Sequence, residues 1–390
     1  MSKYNQSILF LSSWYPNRTN PTLGNFNEKF AESVAFYNKV TAIHIVSDSE
    51  MTQDYELKYS INNNVKTYIG YFKKVKNENF LNKIFKYFNY YKYYFKVYKK
   101  AVKDEGEFDL IHLNILFPVG IIALFFKWFY KLPYVISENW TGYLPSNEVK
   151  QSFFIRLISR IIAKNATYLL PVTDNLKQAM IKKGFENNYI IVPNVTDIKY
   201  FYLPKTYGPK EKKVILHVSS LKDDHKNITG IIDVIKRLTL VRTDFELIIV
   251  GDGDATQHIL YAKKNELYNN VIKFRGAMTP EEIGNIMRES DMFLMFSNYE
   301  NLPCVIVEAF AAGLPVVSST AGGISEHLSA DKGVLVEPKD EEALYNAINN
   351  VLDNLKSYNK NILHNYAVDN FSYESVGKKL SEIYFSIIKT

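Results

Sequence analysis

Two carboxylates eight positions apart, Glu300 and Glu308, lie in the segment of the chain richest in chemistry, SNYENLPCVIVEAFAAGLPVVSSTAGG over residues 297–323. Leu302 and Pro303 stand between them. Proline in a helix's first turn removes an N–H that has no partner there, so a helix is expected to start near Pro303 and run through Ala312. Gly313 and Pro315 stop it, and Val316 to Ser318 follow as a short buried strand. Glu300 then falls in the loop ahead of a helix N-terminus and Glu308 inside the helix, with free backbone N–H groups between them that can face an anion. A phosphate fits there. A carboxylate further along can accept from two vicinal hydroxyls, as on a ribose, so the arrangement suits a nucleotide diphosphate carrying a sugar. An ordinary strand-loop-helix-strand unit with two surface glutamates has the same spacing.

These residues need a scaffold, and short β-rich runs alternate with longer segments of helical period from end to end. Strands are expected at 7–11, 40–46, 110–113, 134–137, 168–170 and 190–192, then at 214–218, 246–250, 271–274, 292–295, 316–318 and 334–336. Residues 202–210 are polar, hold two prolines and a glycine, and read as the linker between two doubly wound α/β units. Ligands of such sheets bind beyond the C-terminal strand ends, so two facing sheets make a cleft. Gly24 falls where a loop turns into the amphipathic stretch 27–37, a position that lets backbone approach a phosphate; a helix-leading turn would use it equally well. The Gly251-Asp252-Gly253 turn lacks the G-x-G-x-x-G spacing of a dinucleotide fingerprint.

With 390 residues the chain is long for one core and natural for two domains. A content of 47% apolar and 23% charged residues describes a globular protein, and 47 basic against 41 acidic residues leave +6. That excess suits phosphorylated ligands or an anionic membrane surface but is too small to argue for nucleic acid, for which there is no motif either. The single cysteine, Cys304, has no partner for an internal disulfide and no metal-ligand cluster near it. Only Ile8 to Leu11 is apolar at the N-terminus, and no stretch reaches the roughly 18 residues of a membrane span, so a cytoplasmic protein is expected.

Several segments resemble retaining glycosyltransferases of family 4, which have the two-domain GT-B fold. The 297–323 run is similar to their E-x7-E signature, and Ile191 to Phe201 resembles the I-P-N-G-V-D-x-x-x-F segment that closes the N-terminal domain. His217 to Asn227 resembles the phosphate-binding strand and loop opening the C-terminal domain. Asp109 to Gly120 resembles a D-x-I-H-x-H stretch, and Phe371 to Glu374 the F-S-W-E box before the last helix. Together they cover nearly the whole chain in the family's order. The resemblance implies an N-terminal Rossmann-like acceptor domain over 1–200, a C-terminal nucleotide-sugar domain over 210–372, and a terminal helix over 373–390 crossing back to the first.

By the same resemblance, Glu308 binds the donor ribose, Glu300 lies against the donor sugar, and Lys226 pairs with the diphosphate, so that Glu300 and Lys226 are the catalytic candidates. Donor contacts are expected at Gly24, Ser219, Ser220, Asn301, Leu302 and Pro303, and near the base at Arg275, Ala277 and Met278. Acceptor or sugar contacts are expected at His112, Glu138 and Asn139. Two positions depart from the family pattern. Ser220 replaces an arginine that helps hold the diphosphate, and Asn139 replaces a histidine, which removes any base there. His112, near a strand end, could equally be a satisfied structural histidine. The implied reaction moves a sugar from a nucleotide diphosphate to a glycan or lipid-linked acceptor. No cofactor and no metal are expected, since the chain has no D-x-D-type acidic pair placed to hold one. The rivals are a GT-B epimerase or phosphorylase and an inactive nucleotide-sugar-binding subunit.

Residues 80–102 place apolar groups such as Ile84, Phe88, Tyr91, Phe95 and Tyr98 on one face and lysines mostly on the other. That pattern fits a core-facing helix with a solvated side, and it also fits a helix lying in a lipid interface, which would make the protein peripheral on the inner membrane face. Arg156, Arg160 and Lys164 form a basic stripe at i and i+4, read as a solvated face or, less simply, an acceptor-phosphate contact.

Overall fold

Leu110 to Asn114 is buried at every residue, with no polar/apolar alternation, as expected of a parallel strand covered on both faces. The same holds for Met292–Met295 and Val316–Ser319. Strands of this kind form the centres of two sheets in the computed structural model, which describes residues 4–74, 80–203 and 210–389.

The first sheet follows from β1 (Ser7–Ser12), α1 (Asn25–Ala35), β2 (Lys39–Asp48), β3 (Tyr55–Asn62), β4 (Val65–Lys73), α2 (Phe80–Glu105), β5 (Leu110–Asn114), α3 (Gly120–Tyr130), β6 (Tyr134–Glu138), α4 (Phe153–Asn165), β7 (Leu169–Pro171) and α5 (Asp174–Lys182). Its strand order is β3-β4-β2-β1-β5-β6-β7, parallel except for the antiparallel β3–β4 pair. The second follows from β8 (Lys213–Val218), α6 (Asp223–Lys226), α7 (Ile228–Leu238), β9 (Phe245–Val250), α8 (Thr256–Lys264), β10 (Ile272–Phe274), α9 (Pro280–Glu289), β11 (Met292–Met295), α10 (Cys304–Ala311), β12 (Val316–Ser319), β13 (Gly333–Val336), α11 (Glu341–Asp353), α12 (Lys360–Phe371) and α13 (Tyr373–Ile388). This sheet is parallel throughout, in the order β10-β9-β8-β11-β12-β13. The architecture is the expected pair of doubly wound α/β units, each with its own core.

Ser372 ends α12 and caps α13 by accepting from the backbone N–H of Ser375 at 3.1 Å. α12 buries Leu363, Ala367 and Phe371 in the second core, whereas Val376, Leu380 and Tyr384 of α13 belong to the first. Asn38 donates to Ser381 at 2.8 Å and fixes the last helix beside α1.

Two expectations fail. The β3–β4 hairpin was not anticipated, although Asn63 and Asn64, both at positive φ, make the turn that such hairpins favour. Residues 190–192 are not a strand; they reach β7 only through an isolated Leu169–Tyr189 bridge and two backbone hydrogen bonds. Residues 204–209 of the expected linker lie outside the described residues. Among the described residues, no helix is long and apolar enough to cross a membrane. In α2 the buried stripe is Tyr94, Val97, Tyr98 and Ala101, while Ile84, Phe85 and Phe88 point outward; the side chains of Phe80, Leu81 and Lys83 lie outside the described residues.

Candidate active site

After β8 the chain turns into the single-turn α6 and reverses at Asn227, whose left-handed backbone (φ 51°) and side chain start α7 by accepting from the N–H of Gly230. The reversal leaves Lys226 at the end of α6, buried to 8% exposure. From the other side, the loop after β11 is tied to α6: the N–H of Asn298 donates to the His225 carbonyl at 2.8 Å, and its side chain to the Asp224 carbonyl at 2.9 Å. Glu300, also buried, forms an ion pair with Lys226. His225 Nε2 is 3.5 Å from the same carboxylate oxygen, and its ring stacks on Tyr299. Burial alone would raise the Glu300 pKa, but His225 and the Lys226 ammonium outweigh it and hold the carboxyl below its ordinary value. Glu300 lies four residues ahead of α10, which starts after Pro303 as the spacing predicts.

Glu308 is half-buried within α10. Burial raises its carboxyl pKa; the charge of Lys29 on α1 opposes this and that of Asp197 adds to it. Glu300 and Lys226 are thus joined directly, while Glu308 feels the charge of Lys29, a residue no motif marked.

Ser219 is held by His217 Nε2 at 2.7 Å and accepts from the N–H of Leu221 at 3.2 Å. A Cβ on Gly251 would stand 2.1 Å from the Ser219 carbonyl and one on Gly253 2.1 Å from that of Ser220, so the Gly251–Gly253 turn closes against the 219–221 loop. Gly24 has φ 68° and caps α1, where a Cβ would fall 2.3 Å from the Trp14 carbonyl; this packing by itself requires glycine. Gly276 accepts from the N–H of Gly251 at 3.0 Å, which brings the 275–278 turn to that loop. Ala277 is exposed, whereas Arg275 and Met278 line a groove of about 910 Å³ with Lys210, Glu246, Lys273 and Glu289, apart from Lys226 and Glu300.

The acceptor-side expectations need correction. His112 does not face a cleft: it is fully buried, bonded to Tyr384 and, at 2.8 Å, to Ser137, and stacked on Phe10. Burial pushes its pKa down to about 3, so it is a neutral core group. Glu138 is also fully buried and accepts from the backbone N–H groups of Leu116, Asn139 and Trp140 at 3.1, 2.9 and 2.9 Å. It shapes the loop rather than offering an open carboxylate, and burial raises its pKa to about 7.

Asn301 was expected at the donor, but its amide spans the two halves of the chain. Its Oδ1 accepts from Thr173 at 2.9 Å and its Nδ2 donates to the Asn139 carbonyl at 3.1 Å. Nearby, Asn194 donates to the Leu302 carbonyl at 3.2 Å, and Glu326 accepts from the N–H groups of Asp174 and Asn175 at 2.7 and 2.8 Å, at the start of α5. Thr173, Asn194 and Glu326 were missed because each acts through a partner more than a hundred residues away. Leu302 is buried in the second core and Pro303 is half-buried. The Asn139 amide nitrogen is buried without a partner among the described residues. Among the described residues, no three His, Cys, Asp or Glu side chains are grouped to hold a metal ion.

Comparison with known proteins bears on the fold and on the segment that holds these residues. Residues 201–366, which contain Lys226, Glu300 and Glu308, match the family model of group 1 glycosyl transferases. A putative glycosyltransferase of Bacillus subtilis, EpsF, is 28% identical over 61% of this chain and 63% of its own length, just under two thirds. A putative teichuronic acid biosynthesis glycosyltransferase of the same organism, TuaC, is 21% identical over 87% of this chain and 88% of its own. Among solved structures, sucrose-phosphate synthase from Thermosynechococcus elongatus superposes with a TM-score of 0.73 at 17% identity, covering 99% of this chain and all of that one. Anabaena HepE in complex with UDP gives 0.72 at 18% identity, over 97% of this chain and all of its own. The fold of this chain is GT-B.

Proposed function

On this GT-B fold, with its group 1 glycosyl transferase segment, we propose a retaining glycosyltransferase of the family 4 type, which moves a sugar from a nucleotide diphosphate to a hydroxyl of a glycan or lipid-linked acceptor. The observation that carries the reading is the buried Lys226–Glu300 pair just ahead of the start of α10. Breaking the bond between sugar and pyrophosphate puts negative charge on the leaving group, and a cation in a water-poor site stabilises it far more than it would in bulk water. In this role Lys226 gives up part of its contact with Glu300 to the pyrophosphate, assisted by the positive end of α10. Glu300 then lies against the donor sugar, and Glu308 accepts from the ribose hydroxyls. Asn301 is reassigned from donor contact to holding the donor loop against Thr173 and Asn139.

Retention on this scheme proceeds by same-face attack, with the departing phosphate oxygen taking the acceptor proton. That route agrees with a site in which Asn139 stands where a base would, and with Glu138 engaged by three backbone donors. Lys226 and the helix start supply the positive charge that a metal supplies elsewhere, so the reaction is proposed to need none. Relatives that act in surface-polymer synthesis support placing the product in a cell-surface polysaccharide.

A thermal-shift screen with UDP, GDP, ADP and their sugars tests the donor half. UDP is the first to try, because a structural neighbour was solved with it. A ligand present at a hundredfold its Kd should stabilise the folded protein by about 2.7 kcal/mol. No shift with any nucleotide diphosphate would refute the reading.

A further inference from the structure

The crossovers β4-α2-β5, β5-α3-β6 and β6-α4-β7 all step the same way across the first sheet, and β1-α1-β2 steps the other way. Because such crossovers are right-handed, α2, α3 and α4 share one face of the sheet, opposite α1. They lie side by side: Phe95 meets Phe125 with ring centroids 5.0 Å apart, and Lys127 donates to the carbonyl of Asn165.

Their outer surface is unusual in two independent respects. The three helices hold 50 residues, yet among the described residues they carry 11 of the 21 exposed large apolar side chains, including Phe85, Phe88, Trp128, Phe129, Phe153 and Phe154 at 53 to 74% exposure. They also hold 11 basic residues and only two acidic ones, leaving 36 basic against 39 acidic over the rest of the chain. Both acids, Asp104 and Glu105, sit in the last turn of α2 and are paired, with Lys100 and Lys66. The whole positive excess of the protein therefore resides on this one apolar-studded layer.

We propose that the outer face of α2, α3 and α4 is a docking surface for an anionic lipid bilayer. Aromatic and aliphatic groups enter the headgroup boundary while lysines and arginines meet the lipid phosphates, a combination that binds a bilayer in its plane without crossing it. The charge selects this occupant over a second copy of the chain, since a two-fold contact would press one positive layer against another. The middle of α2 borders the loop after β5, where Tyr91 donates to the Pro118 carbonyl at 3.3 Å and Tyr87 meets Phe117. That loop leaves the C-terminal edge of the sheet, the edge beyond which ligands of such sheets bind. Delivery of a lipid-linked acceptor there rests on the transfer reaction proposed above; docking itself does not.

The test is co-sedimentation of the full chain with phosphatidylcholine vesicles and with equimolar phosphatidylcholine–phosphatidylglycerol vesicles. Binding is expected to the anionic vesicles alone and should weaken with added salt. Lys86→Glu combined with Arg156→Glu, at two exposed positions, should weaken it by about 30-fold or more. Phe85→Ser combined with Phe154→Ser should also weaken it, and neither pair should change the melting temperature or the shift given by nucleotide diphosphate. Absence of binding to anionic vesicles overturns the proposal, as does binding that both variant pairs leave intact, or a salt-sensitive dimer or RNA complex that these substitutions abolish while vesicle binding persists. A failed nucleotide screen with intact vesicle binding would sink the transfer reaction and leave the docking face standing.

Discussion

Lys226 and Glu300, 74 residues apart in the chain, form one buried ion pair at the junction of α6 with the loop before α10. Removing one partner of such a pair strands a buried charge, which typically costs 3–5 kcal/mol. Lys226→Met should therefore destabilise the protein by roughly that amount, and adding Glu300→Gln should restore most of the loss. Chemical denaturation of the single and double variants reads this directly. The pH sign is fixed as well. The Glu300 pKa lies below its ordinary 4.5 in the folded protein, so the pair stabilises above that value and its contribution is lost as pH falls further.

Glu308→Gln keeps the size of the side chain and removes its charge. If it grips the donor ribose in ground state and transition state alike, the donor KM should rise about tenfold or more with kcat little changed. Steady-state kinetics at varied donor concentration separates the two parameters, and a fall confined to kcat would assign Glu308 another role.

Thr173→Val and Asn301→Ala each break the hydrogen bond that joins the two halves of the chain beside the donor loop. In a double-mutant cycle the coupling should be about 0.5–3 kcal/mol. Both substitutions should also raise the donor KM, because they loosen the loop that carries Glu300. Additive effects in stability and in KM would remove Asn301 from any positioning role.

Glu138 has its pKa raised by burial from 4.5 to about 7. A carboxyl of that kind contributes most when protonated, and its contribution falls as pH rises from about 4.5 through 7, by roughly 3 kcal/mol in all. Glu138→Gln cannot titrate, and its amide oxygen can still accept from the N–H groups of Asn139 and Trp140 although its NH2 then faces the Leu116 N–H, so it should flatten this decline. Melting curves at several pH values between 4.5 and 8 compare the two proteins; parallel curves would contradict the assignment.

Apolar runs revealed the central strands because buried parallel strands need little else, and their predicted bounds differ from those observed by at most two residues at either end. The helix after Pro303 was legible from the same proline and glycine punctuation that terminates it. The β3–β4 hairpin was legible too and was overlooked: Tyr55, Leu57, Tyr59 and Ile61 alternate with polar residues up to the Asn63-Asn64 turn. His112 could not be placed by pattern. A strand buried on both faces gives no alternation to say which side chain faces the core, and the residue that satisfies its Nδ1, Tyr384, is 272 positions away. The union of Lys226 with Glu300 and the Asn301 bridge likewise depend on separate elements meeting, for which no local signal exists. Arg275 and Met278 were placed near the base by resemblance, and they line a groove apart from Lys226 and Glu300.

The central claim is that Lys226 takes up the charge shed by a departing pyrophosphate, and the most direct measurement is kcat for release of nucleotide diphosphate from its sugar donor by Lys226→Ala. The assay is run below the melting temperature of the variant, with its folding checked by circular dichroism. The account predicts a fall of about a hundredfold or more, with a smaller change in donor KM. An unchanged kcat in the folded variant would contradict it.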